Sequence, residues 1–210
     1  MNGSVPTGGR CRHSRLHVTF MPLVACISLA LVPRTGMATC YITGASPVAF
    51  GIVGGSGANT SGDVQFTCMS DSPGNTVTYS VCVYVDPNSG SPMGIDPRQM
   101  KQDWPVDYLA YNLYADPARS QVLGSTTSGH AVYSTVVTLA PGAAFNGRMT
   151  IYGNVPPQTV TSGNYVSRNT VWMRSPWSPG ATAPDAAACA AAGNTGQAYL
   201  GVTATKADTC

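Results

Sequence analysis

Glutamate is absent from this 210-residue chain, and lysine occurs only twice. Charged residues make up 10% of the sequence, well below the ~25% of an ordinary soluble domain. Good helix formers are therefore scarce, which argues against a helical bundle and against a doubly wound α/β enzyme. Eleven Lys and Arg are spread among nine Asp. No basic patch exists to hold a polyphosphate, so nucleic acid is not an expected partner. No Cys-x-x-Cys pair occurs, and a lone histidine cannot complete a zinc-finger pattern, so neither a metal nor a cofactor is expected. There is no Gly-x-Ser-x-Gly elbow, and His130 is the only histidine after residue 17. Catalysis on a small-molecule substrate is not expected. Glycine (23) and proline (16) are plentiful, and 43% of residues are hydrophobic. Such a chain is too apolar for disorder and rich in turn formers.

The first residues read as an export signal. Arg10, Arg12 and Arg15 precede an apolar run from Leu16 to Val32, and small residues end at Gly36-Met37-Ala38. A basic head, an apolar middle and a small-residue cleavage site give a secretory signal over 1–38. The run is too short and too interrupted for a membrane span. Leu23-Val24-Ala25-Cys26 fits a lipoprotein-type box, but Ile27 to Val32 keep the run apolar past that cysteine. Cleavage after Ala38 is expected. It removes four of the 11 basic residues and leaves seven against nine Asp, a net charge of −2.

Five cysteines follow: Cys40, Cys68, Cys82, Cys189 and Cys210. In an exported chain these form disulfides. The odd number leaves one unpaired, joined to another chain, or lacking its partner here. Spacing alone leaves the connectivity open.

The rest alternates between strands and turns. Val77, Tyr79, Val81, Val83 and Val85 share one face of Thr76–Val85, and Thr78, Ser80, Cys82 and Tyr84 the other. That pattern predicts a half-buried strand. Similar alternation marks Tyr108–Asp116, Val132–Ala140, Arg148–Val155 and the end around Ala198 to Ala204. In Tyr165–Met173, Val166, Arg168, Thr170 and Trp172 share a face. Tyr41–Val48 and Val64–Met69 add short strands. Clusters such as Gly54-Gly55-Ser56-Gly57 and Asp71-Ser72-Pro73-Gly74 supply turns. Seven or eight such strands predict an all-β fold, an antiparallel β-sandwich. Asp185–Ala192 is the one helical candidate, too short to persist unless a disulfide at Cys189 holds it.

Several segments resemble a known family. Cys40 with Val48-Ala49-Phe50-Gly51, then Gly62-Asp63-Val64-Gln65-Phe66-Thr67-Cys68, is similar to the opening of the spore coat protein U domain. Arg98-Gln99-Met100 and Leu109-Ala110-Tyr111-Asn112-Leu113-Tyr114-Ala115-Asp116 resemble its central motif. Ile151-Tyr152-Gly153-Asn154-Val155-Pro156 and Gly163-Asn164-Tyr165 resemble its late motif. Ser167 stands where the family usually has an aspartate. The resemblance implies an immunoglobulin-like, pilin-like sandwich over 39–197. It also implies membership of archaic (Csu-type) chaperone–usher pili, which bacteria use for attachment and biofilms. The implied partners are a periplasmic chaperone, an outer-membrane usher and other pilus subunits. The implied location is the cell surface, reached through the periplasm.

In such pili a subunit's open groove accepts a neighbour's N-terminal strand. Only Thr39 precedes Cys40 in the expected mature chain, which is what the resemblance implies for a tip subunit and not for a shaft subunit. Residues 198–210 read either as the last strand or as the truncated start of a second such domain. The resemblance implies a Cys40–Cys68 disulfide. A Cys82–Cys189 bond would pin a late insertion to the sandwich, with Cys189–Cys210 as the rival pairing. Adhesion to an abiotic or host surface is expected through apolar loop residues, with Met93, Ile95, Trp172 and Trp177 as candidates and Trp104 ambiguous. The alternative is a structural subunit of a pilus shaft or spore coat.

Overall fold

The computed structural model describes residues 38–87, 94–125 and 127–207. In chain order its elements are β1 (Ala38–Ala45), β2 (Val48–Val53), β3 (Ala58–Ser70), β4 (Val77–Asp86), β5 (Arg98–Asp103), β6 (Val106–Tyr114), β7 (Tyr133–Leu139), β8 (Ala144–Val155), β9 (Gly163–Arg174), β10 (Trp177–Pro179), α1 (Ala186–Ala191) and β11 (Gly196–Lys206). The architecture is almost all β, a curled sheet folded into the two layers of a sandwich. One layer runs β1-β3-β8-β6. The other runs β2-β11-β9, with β4 and β5 following one another along the far edge of β9. β6 joins the layers, pairing β5 along most of its length and β8 over Asn112–Tyr114.

The predicted strand Tyr41–Val48 is broken in two. Pro47 has no N–H to give a ladder. Ser46 turns to Asp63 instead, its N–H donating to the Asp63 carbonyl at 2.8 Å and its Oγ accepting from the Asp63 N–H at 2.7 Å. The chain then crosses to the other layer as β2, parallel to β11. A register shift in that pair falls where Gly51 sits at φ +64°, a conformation that favours glycine.

β4 corrects the half-buried expectation: both its faces are buried from Val77 to Val85. Its inner row of Val77, Tyr79, Val81, Val83 and Val85 enters the main core. The outer row is covered by the insertion between β9 and β11. Three outward residues tie that insertion in order. Thr78 Oγ1 donates to the Gly180 carbonyl at 2.7 Å, Ser80 Oγ donates to the Pro184 carbonyl, and Cys82 is bonded to Cys189. The alternating polar positions of Thr76–Val85 are therefore anchors, not solvent contacts.

β5 lacks an apolar alternation because its buried residues are Arg98, Met100 and Gln102. Arg98 is fully buried, and among the described residues it hydrogen-bonds no carboxylate. Its Nη2 donates to the carbonyls of Val85 (2.7 Å) and Leu123 (2.8 Å), and its Nη1 to that of Ile95 (3.2 Å). Burial lowers its pKa to about 10. The face of β9 that the sequence marks by Val166, Arg168, Thr170 and Trp172 points outward. The inward face carries Ser167 and Asn169, whose Oγ and Nδ2 both meet the Tyr111 hydroxyl at 2.8 Å. Two polar groups are tolerated in the core because they satisfy one another.

Candidate functional site

Among the described residues two disulfides are present. Cys40–Cys68 links neighbouring strands across the β1–β3 register with Cα atoms 4.0 Å apart. Cys82–Cys189 joins β4 to α1 with Cα atoms 6.1 Å apart. Cys26 and Cys210 lie outside the described residues. The helix predicted over Asp185–Ala192 forms as α1. The Asp185 carboxylate caps it, accepting the Ala188 N–H at 2.8 Å, and the bridge holds its middle.

The described members of the expected adhesive set, Ile95, Trp172 and Trp177, do not meet at one tip. Met93 lies outside the described residues. Ile95 is half-buried, its carbonyl held by Arg98. Trp172 is not in a loop but within β9. Its indole N–H donates to Asp86 Oδ2 at 2.6 Å, and its ring packs on the Cys82–Tyr84–Cys189 cluster. Trp177 opens β10 opposite Tyr79 and is 46% exposed. On β4, Tyr79 and Asp86 are seven residues apart. At ~3.3 Å per residue, Asp86 and Trp177 lie about 23 Å from each other.

Among the described residues the most exposed aromatic is the one the sequence left ambiguous. Trp104 is 90% exposed and Val106 61% exposed, at the tip of the β5–β6 hairpin. Gln102 supports that tip from beneath, its Nε2 donating to the carbonyls of Trp104 (3.2 Å) and Ser162 (3.3 Å). Trp104-Pro105 between two short charged segments was a legible hairpin signal, hidden because β5 lacks an apolar face. Trp104 and Trp177 stand beyond opposite ends of β9, whose 12 residues span about 40 Å.

The same end of the sandwich as Trp104 holds the close of β11. Lys206 is buried, and its Nζ donates to the carbonyls of Gly54 (3.1 Å) and Gln158 (3.4 Å). β11 pairs with β9 along its whole length on one side and with β2 from Val202 on the other. Leu200, Val202 and Ala204 enter the core between these neighbours. Among the described residues no group of three His, Cys, Asp or Glu could hold a metal ion, and no helix is long and apolar enough to cross a membrane.

No curated protein matches the chain. Among solved structures it is similar to CfaE, the adhesive subunit of CFA/I fimbria of enterotoxigenic Escherichia coli. Identity is 16%, coverage is 81% of this chain and 49% of that one, and the TM-score is 0.38. It thus spans about half the length of that adhesin. It is also similar to the CooA pilin subunit of enterotoxigenic Escherichia coli (9% identity, 82% and 99% coverage, TM-score 0.31). A third similar structure is a PapD-like domain of a human protein (8% identity, 95% and 100% coverage, TM-score 0.29). The family model for the Spore Coat Protein U domain matches residues 27–171. The match holds Cys40, Cys68 and the strands from β1 through most of β9, and the chain belongs to the Spore Coat Protein U domain family.

Proposed function

We propose that this protein is an exported, non-enzymatic pilus subunit of the terminal, adhesive kind. It reaches the cell surface through a periplasmic chaperone and an outer-membrane usher, and serves attachment and biofilm formation. One observation carries the reading. β11 lies between β9 and β2, so the apolar interior is closed by the chain's own strand. A shaft subunit needs an open slot to receive a neighbour's strand. A closed sandwich has no such need and suits a terminal position.

The attachment surface is read from exposed aromatic residues. Tyr79, Tyr111, Tyr165 and Phe66 are all inside, while Trp104, Tyr199, Trp177, Phe145 and Tyr41 are out, Trp104 the furthest and Trp177 the other tryptophan among them. Large apolar side chains held in solvent mark contact surfaces when they cluster, and Val106 stands beside Trp104. Trp104→Ser and Trp177→Ser, made singly in piliated cells, test the reading because the two residues sit at opposite ends. Biofilm on polystyrene should fall for one of them while pilus assembly stays intact. Unchanged biofilm for both, with pili assembled, would favour the structural-subunit alternative.

A further inference from the structure

The outer face of β4 carries a cleft of about 320 Å³ that nothing in the adhesive reading uses. Its floor is the Cys82–Cys189 bridge beside Tyr84. Ala186 and Ala190 of α1 make one wall, and Ser134 and His130 stand at the rim. The alanine run explains why the space is open. Methyl groups at 186 and 190 leave unfilled the volume that longer side chains on that helix would take. The walls are also fixed in place. Asp185 caps α1, Cys189 is bonded to β4, and Arg174 Nη1 donates to the Ala190 carbonyl at 2.6 Å while its guanidinium lies 5.3 Å from the Tyr84 ring. A preformed cleft avoids the ordering cost of binding.

The lining defines the ligand chemistry. Among the described residues no Asp, Lys or Arg side chain lines the cleft, so they offer an ionic ligand no counter-charge. An apolar floor below a hydroxyl and an imidazole suits a ring with one C–H face and hydroxyls at its edge. The volume suits one such ring. We propose that this cleft binds a single neutral pyranose, its C–H face on the disulfide and Tyr84 and its hydroxyls toward Ser134 and His130. This does not rest on the adhesive reading, since Trp104 and Trp177 take no part.

The test is saturation-transfer and chemical-shift NMR on the exported protein. The probes are methyl glycosides of glucose, galactose, mannose and N-acetylglucosamine, with cyclohexanol as an apolar-ring control. At least one glycoside should bind saturably at millimolar concentration, shifting the His130 ring and the Ala186 and Ala190 methyl signals. Ala190→Leu places a good helix former at an exposed helical position and should weaken binding about tenfold or more. Ala186→Leu, on the same wall, should repeat the loss. Saturable binding to none of the glycosides overturns the proposal. So does binding that survives both leucine variants, or cyclohexanol binding as tightly as the best sugar.

Discussion

The main core and the small cluster under α1 are built on opposite plans. The core packs Leu109, Met149, Ile151, Tyr165, Leu200 and their neighbours between two registered layers. The satellite cluster has only Cys82, Tyr84 and Cys189 buried, with Val132 and Trp172 packed against them. In the core each side chain is held by many neighbours, so stability is spread over the whole sandwich. Over β4, a six-residue helix too short to persist alone is held by discrete ties: one cap, one bridge and one arginine. A change in the core should lower protection evenly through the sandwich, and a change in a tie should lower it most in α1.

The largest effect should come from cutting the bridge. Cys82 and Cys189 are 107 residues apart in sequence, and closing a loop of that size contributes about 4.7 kcal/mol by chain entropy. Replacing both with Ser should lower the stability measured by urea unfolding by roughly that amount. In hydrogen exchange α1 should lose its protection altogether, while β3 and β8 should lose only what the lower global stability takes. Leu109→Ala should cost about 3 kcal/mol, within the range for buried leucines. Its signature should be the reverse, with protection in β3, β8 and β9 falling together. Equal patterns for the two variants would erase the distinction between core and satellite. Asp185→Ala should cost about 1 kcal/mol, read as a small fall in the urea midpoint with the faster exchange concentrated in α1.

The smallest effect is a pH dependence on the core side. The Asp107 carboxyl is held below its ordinary value of 3.8, first by the Thr161 N–H and then by the Thr161 hydroxyl, with the Tyr108 N–H and the Tyr165 hydroxyl adding two further bonds. A depressed folded value means stability that is present above 3.8 and lost as pH falls through the lower folded value. Asp107→Asn should therefore flatten the acid limb of the stability curve below pH 3.8 and leave the cluster under α1 untouched.

The sequence carried the core well because the core obeys alternation. Val77 to Val85, Leu109 to Leu113, Met149 and Ile151, and Leu200 to Ala204 all point inward where period-two spacing puts them. It failed where the inward residue is polar. Arg98 and Gln102 hid β5, and Ser167 with Asn169 made the outer face of β9 look the more apolar. Such residues become inward only through partners distant in sequence, such as Tyr111 and the carbonyls of Val85 and Leu123. The break at Pro47 was legible in principle, since proline cannot continue a ladder. Trp172 read as a loop-tip residue because its cover, α1, comes more than a dozen residues later. The exposure of Trp104 follows from the β5–β6 hairpin, and so from the strand that alternation missed.

Hydrogen exchange along β11 in the exported protein tests most directly whether this sandwich is closed by its own strand. Leu200, Val202 and Ala204 lie between β9 and β2, and Lys206 fastens the strand's end to the carbonyls of Gly54 and Gln158. Their amides should exchange as slowly as those of Tyr165 and Val171 in β9. Fast exchange throughout β11 beside a protected β9 would mean that the strand leaves its slot and the groove opens. That result would contradict the closed, terminal subunit and match one that accepts a neighbour's strand.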